Sequence, residues 1–357
     1  MASEARPRPL VIGHRGAPGY RPEHSRSGYE LAFALGADSV EPDVVASKDG
    51  ILVVRHENEI SGTTDVASRA EFAHLRATKT IDGDEHTGWF TEDFTWEELS
   101  TLRVRERLPM IRPSSASFDG KQGILRLADL AVLVDAASEQ QGRPLGMTVE
   151  IKHATHFDAL GLPLDELVAT ELDDAGWGSG RPLIVESFEK TVLAGVSARG
   201  LEAEFVYLVE RSGAAADVVA RDGASAITYA EELSDGGLDA LAVLVDGVSA
   251  DKTLVLSLDE DGVATGATDL VSRLHARGLT AYAWTLRPEN RFLSAGFRRG
   301  PADAFGDWAS EFAVILGTGI DGVFLDHPDL GVAARDALDD RAGVRRGPDG
   351  DGVGGRR

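Results

Sequence analysis

Short apolar runs alternate with amphipathic stretches along most of the chain. The runs at residues 10–14, 39–45, 146–152, 183–187, 205–209, 242–245, 280–285 and 322–325 read as strands. Between them, residues 25–35, 127–140, 164–174, 191–198, 214–221 and 268–277 carry apolar side chains at helical spacing. Glycine follows most of these helical stretches, as Gly36 and Gly142 do, which suits helix C-termini. Repeated strand–helix alternation dictates right-handed crossovers and a parallel sheet. Eight strands in that pattern predict an α/β fold, a closed TIM (β/α)8 barrel, in place of an open sheet.

Two stretches break the alternation. Residues 51–56 form an extra apolar strand behind the turn Lys48-Asp49-Gly50. Residues 57–123 are then polar and rich in Thr, Glu and Trp, with no βα unit, and read as a subdomain inserted after the second strand. Its aromatic residues Trp89, Phe90, Phe94 and Trp96 are assigned to its own core. A smaller insertion spans 287–319. The barrel domain is expected over 1–338. Residues 339–357 hold too few apolar side chains to offset chain entropy and are expected to be a disordered tail.

Charge narrows the range of partners. The chain of 357 residues has 36 basic and 59 acidic side chains, a net charge of −23, which argues against nucleic acid and anionic membrane surfaces. Cysteine is absent, which excludes disulfides and thiolate-bound metals. No leader-like segment and no apolar run long enough to span a membrane appears in the sequence. A cytoplasmic protein acting on a small molecule is expected, with an exported form as the alternative and the oligomeric state left open.

The strand ends carry the chemistry. Alternate residues on a strand share a face, so Glu41 and Asp43 project together between valines. Two such carboxylates repel unless a cation lies between them, and an all-oxygen donor set suits Ca²⁺ or Mg²⁺. Glu150 and Lys152 repeat the spacing on the next strand, adding a third carboxylate and a positive charge. His14 closes the first strand and His56 the extra strand, placing two acid–base groups near the carboxylates. His153 and His156 have metal-like spacing, but no predicted helix carries them, so they are not read as a metal site.

His14-Arg15-Gly16-Ala17, Pro22-Glu23-His24-Ser25, Glu41-Pro42-Asp43, Lys48-Asp49-Gly50, Val53-Val54-Arg55-His56 and Glu150-Ile151-Lys152 follow one another in an order and spacing that resembles the glycerophosphodiester phosphodiesterase family. Thr87–Thr95 in the insert, Trp284-Thr285-Leu286-Arg287 and Asp321–Asp326 extend the likeness over residues 10–338. The resemblance implies a metal-dependent TIM-barrel enzyme that hydrolyses glycerophosphodiesters, such as glycerophosphocholine and glycerophosphoethanolamine, to sn-glycerol 3-phosphate and an alcohol. It implies Glu41, Asp43 and Glu150 as ligands of Ca²⁺ or Mg²⁺ and His14 and His56 as the acid–base pair. It also implies Arg15 and Lys152 as phosphate contacts and Trp284 as a wall of the glycerol pocket. The chain departs from the family pattern at His24, Glu57, Glu189 and His327, none of them a ligand or catalytic histidine. A lysophospholipase D-like enzyme for larger lipids and a catalytically silent barrel scaffold are the alternatives.

Overall fold

Pairing around the sheet closes on itself. In the computed structural model, which describes residues 8–344, the strands in chain order are β1 (Leu10–His14), β2 (Ser39–Glu41), β3 (Asp43–Ala46), β4 (Leu52–Val54), β5 (Ala77–Ile81), β6 (Asp84–Gly88), β7 (Gly146–Ile151), β8 (Leu183–Ser187), β9 (Glu204–Val209), β10 (Gly247–Asp251), β11 (Leu256–Leu258), β12 (Ala264–Ala267), β13 (Thr280–Leu286) and β14 (Gly322–Leu325). The main sheet runs β2-β1-β14-β13-β10-β9-β8-β7-β3-β4, and β2 also pairs with β7, which closes the barrel. β2 and β3 are one barrel strand interrupted at Pro42, a residue with no N–H for the ladder. Counted so, eight parallel strands form a TIM (β/α)8 barrel. β4 is a ninth, antiparallel strand laid against β3, and it delivers His56 to the rim.

One predicted strand is misplaced. Residues 242–245 end the turn after the helix Asp235–Leu241, and Val243 and Leu244 are 80% and 60% exposed. The strand is β10, whose sequence Gly-Val-Ser-Ala-Asp has no long apolar run. Its inward Ser and its terminal Asp hide the strand signal, while the exposed apolar run beside it imitates one. The insertion at 287–319 contains a helix, Trp308–Leu316, that the strand–helix pattern does not announce. The last helix runs Pro328–Val344 and takes in the first six residues of the expected tail, and residues 345–357 of that tail lie outside the described residues.

Ile12, Ile184, Val206, Tyr282 and Phe324, from five different strands, form an apolar plug inside the barrel. Two residues farther along four of these strands come His14, Glu186, Trp284 and Asp326, on the same inward face. The barrel interior therefore changes from apolar to chemical within one side-chain layer, at the C-terminal rim where TIM barrels carry their sites.

Residues 57–123 form the β5–β6 hairpin and several short helical turns around a small aromatic core. Phe90 and Phe94 are fully buried, Trp89 nearly so, and Phe94 meets Phe72 edge-to-face at 5.2 Å. The hairpin is tied to the barrel at its tip, where Asp82 Oδ2 lies 2.6 Å from His153 Nδ1. His156 Nε2 lies 3.1 Å from Glu92. A short helix, Ala154–Ala159, does form after His153, yet the two histidines bond to different acids on the insert, so they serve as its fastenings.

Candidate active site

Strand register assembles the carboxylates. β3 pairs with β7 so that Asp43 stands opposite Glu150, and β1 pairs with β2 so that His14 stands opposite Glu41. Glu41, Asp43 and Glu150 are all buried and offer oxygens that lie within 4.8 Å of one another, close enough to hold one metal ion. Lys152 Nζ pairs with both Asp43 Oδ1, at 3.3 Å, and Glu150 Oε1, at 2.5 Å. Burial, then Asp43, Glu150 and Glu186, push Glu41 well above the ordinary carboxylate range. Burial and then Asp43 lift Glu150 to about 8 against the pull of Lys152. Burial would raise Asp43 too, but Lys152, His56, His24 and Arg15 hold it well below its ordinary value. The cluster is short of positive charge, and its hard oxygen donors match a divalent cation such as Ca²⁺ or Mg²⁺.

The chain leaves β1 abruptly. Arg15 adopts a positive φ of 54°, which separates its side chain from that of His14 and aims its backbone N–H at Glu41 Oε2, 2.7 Å away. Its guanidinium lies 3.3 Å from Asp43 Oδ2 and 3.2 Å from Glu23 Oε2. His24, also at positive φ, donates from Nε2 to Asp43 at 2.8 Å, a contact that holds the carboxylate in place.

Each rim histidine leans on an acid. His14 Nδ1 lies 2.6 Å from Asp326 Oδ1, and His56 Nδ1 lies 2.5 Å from Glu57 Oε1. A carboxylate accepts only, so each imidazole carries its proton on Nδ1 when neutral and leaves Nε2 free. Burial, reinforced by Arg15, lowers His14 to about 4 despite Asp326. His56 is also lowered, by burial first and then by Arg15 and Lys152, although about a quarter of its side chain remains exposed.

Arginines fix these acids in turn. Arg107 reaches Glu23 at 2.7 Å and Glu57 at 2.6–2.8 Å. Arg112 bridges Asp326 and Glu289 at 2.5 and 2.7 Å, and Arg287 meets Asp326 at 2.6 Å. Glu23 is pushed up by burial but held well below its ordinary value by Arg107 and Arg15. A carboxylate with a depressed folded-state value adds stability above its ordinary value of 4.5 and loses it as pH falls through the folded value. Arg107→Ala should therefore lower stability at neutral pH by about 1–3 kcal/mol, read as a lower Tm. It should also flatten the loss of stability on acidification below 4.5. An unchanged acid limb would show that Arg107 does not hold Glu23.

His14, Arg15, Glu41, His56, Glu150, Lys152 and Trp284 line one cavity of about 910 Å³, with Asp43 directly behind them at zero exposure. All eight residues singled out from the sequence thus converge. Residues 14–330 match the Glycerophosphoryl diester phosphodiesterase family. A glycerophosphodiester phosphodiesterase of Arabidopsis thaliana is 30% identical over 333 residues, covering 89% of this chain and 84% of its own. The chain belongs to this family.

A second member of the glycerophosphodiester phosphodiesterases, from Treponema pallidum, is 25% identical over 90% of each chain. The fold is shared with a phosphodiesterase of Oleispira antarctica, solved in complex with the product sn-glycerol-3-phosphate. That likeness has a TM-score of 0.60 at 20% identity and covers 92% of this chain and 97% of the other. Asp326, Glu57, Arg107, Arg112 and Glu186 also belong to the site, and strand spacing singles out none of them. Asp326 was visible as a polar residue ending the last strand; the arginines, far away in sequence, gave no local signal. Among the described residues no helix is long and apolar enough to cross a membrane.

Proposed function

We propose that this glycerophosphodiester phosphodiesterase is metal-dependent and cleaves small glycerophosphodiesters, glycerophosphocholine and glycerophosphoethanolamine among them, to sn-glycerol 3-phosphate and the alcohol. The observation that carries this reading is the meeting, in one cavity, of three carboxylates, two fixed cations and two imidazoles each backed by an acid. Glu41, Asp43 and Glu150 would hold Ca²⁺ or Mg²⁺. The bound ion supplies Lewis-acid neutralisation of phosphoryl charge. Arg15 and Lys152 bind the phosphodiester anion, arginine through its forked donors. With Nδ1 committed to a carboxylate, each imidazole acts through Nε2: one accepts the proton of the attacking oxygen, either water itself or the substrate's own 2-hydroxyl with water then opening the cyclic phosphate, and the other protonates the alkoxide as its bond to phosphorus breaks. The bound anion raises the pKa of the imidazole it faces, which counters the lowering by burial and by Arg15. Trp284 walls the glycerol end.

The test is incubation with glycerophosphocholine, glycerophosphoethanolamine and lysophosphatidylcholine, following release of glycerol 3-phosphate or choline. The first two should be cleaved, with activity at least about tenfold lower in EDTA and restored by Ca²⁺ or Mg²⁺, since charge neutralisation contributes several kcal/mol to the barrier. Full activity in EDTA would remove the metal from the reading. Preferential cleavage of the lysolipid would replace the substrate class.

A further inference from the structure

One acid on the cavity floor has no part in the reading above. Glu186 stands in register beside Glu150 on β8 and lines the cavity. It is 1% exposed, and its Oε2 has no hydrogen-bond partner among the described residues. A buried carboxylate oxygen without a donor destabilises the fold, so a donor arriving with a ligand is the natural explanation for its presence. The oxygens that converge tightly enough to share a cation belong to Glu41, Asp43 and Glu150, and Glu186 is outside that set.

Its surroundings specify the ligand. Phe188, two residues on and facing the same cavity, meets Trp284 edge-to-face with ring centres 5.7 Å apart and planes at 84°. The Trp284 Nε1–H is already donated to Ser249 O at 3.2 Å, so the indole offers this cavity an apolar surface and no donor. Two rings at right angles that line one cavity with a carboxyl oxygen lacking a donor suit a short polyol. Its C–H edges pack on the rings, and its hydroxyls donate to the carboxylate.

We propose that Glu186, which lines one cavity with the Phe188–Trp284 corner, accepts hydrogen bonds from the hydroxyls of the substrate's glycerol moiety and is the residue that selects glycerophosphodiesters over simple alkyl phosphodiesters. The inference rests on the functional reading above.

The test compares binding of sn-glycerol 3-phosphate with that of n-propyl phosphate, which keeps the phosphate and lacks both hydroxyls, by calorimetry on the full chain in Ca²⁺. The wild type should favour glycerol 3-phosphate by about tenfold or more. Glu186→Leu should bind it about 10- to 100-fold more weakly, the range for a buried hydrogen-bonding group left without its partner, while holding n-propyl phosphate as before. Titration of metal-stripped protein should give Glu186→Leu the wild-type Ca²⁺ affinity. Glu186→Gln keeps one acceptor oxygen and the side-chain size, and should lose about threefold to tenfold of the discrimination. If Glu186→Leu does not fold, Glu186→Gln decides alone. Undiminished discrimination in the folded variants overturns the inference, as does a loss of Ca²⁺ affinity like that of Glu150→Gln, which would make Glu186 a cation ligand. A wild type that hydrolyses glycerophosphodiesters while its variants keep the preference defeats this inference only. A wild type that neither hydrolyses them nor binds glycerol 3-phosphate defeats the functional reading and this inference with it.

Discussion

Replacing His14 or His56 with alanine is expected to lower kcat for glycerophosphodiester hydrolysis by about 10²–10⁴-fold, the usual contribution of a positioned acid or base. Each imidazole has its Nδ1 engaged by a carboxylate and its other nitrogen free, the arrangement required of a proton carrier. KM should move much less, because Arg15 and Lys152 and the carboxylate cluster remain to bind the phosphodiester. The double variant should be little slower than the worse single one, since two groups serving one proton relay do not contribute additively. The fold should survive His14→Ala, because Asp326 keeps Arg112 and Arg287. Steady-state rates of glycerol 3-phosphate release measure the effect. Near wild-type turnover in both single variants would remove the histidines from the mechanism.

Asp326→Asn is expected to combine a kinetic with a thermodynamic loss. The carboxylate accepts from His14 Nδ1–H, and an asparagine amide can donate to that nitrogen, which would place the proton on Nε2 and present the wrong tautomer to the substrate. A loss of about 10²–10⁴ in kcat follows, comparable to removal of the histidine, because an imidazole in the wrong tautomer cannot perform its transfer. Asp326 also neutralises the buried Arg112 and the neighbouring Arg287. Breaking a buried pair of this kind costs about 3–5 kcal/mol of stability. Burial opposes ionisation of Asp326, but Arg287, Arg112 and His14 hold it well below its ordinary value of 3.8. Its stabilising contribution is present above 3.8 and is lost as pH falls through the folded value. The variant should thus be less stable at neutral pH and differ little from wild type in strong acid. Urea midpoints across pH, with kcat at saturating substrate, separate the two effects. A variant that lost stability but kept its turnover would leave Asp326 as a structural anchor with no hold on the tautomer.

Local patterns carried a large share of the fold and site. Glu41, Asp43, Glu150 and Lys152 were legible because a strand puts alternate residues on one face, so i, i+2 charge pairs announce a common direction. His14 and His56 were legible because an apolar strand ending in a charged residue marks the rim of a barrel. Seven of the eight barrel strands lie where their apolar runs place them. The sixth does not, because β10 pairs with its neighbours through backbone hydrogen bonds that a Ser- and Asp-containing sequence forms as well as a valine run does.

Tertiary structure alone decided the outer ring of the site. Asp326 joins His14 across 312 residues of sequence, Arg112 joins Asp326 across 214, and Arg107 joins Glu23 across 84. Such partners lie on different elements, and no spacing rule relates them. The emptiness of Glu186 Oε2 is likewise a property of what surrounds it in space. By itself the sequence determined which faces of the strands are chemical, since backbone geometry converts spacing into direction. Which acid restrains which imidazole, and which carboxylate is left without a donor, depended on the closure of the barrel and the packing of the insert, because these are matters of distance between segments that the chain brings together only on folding.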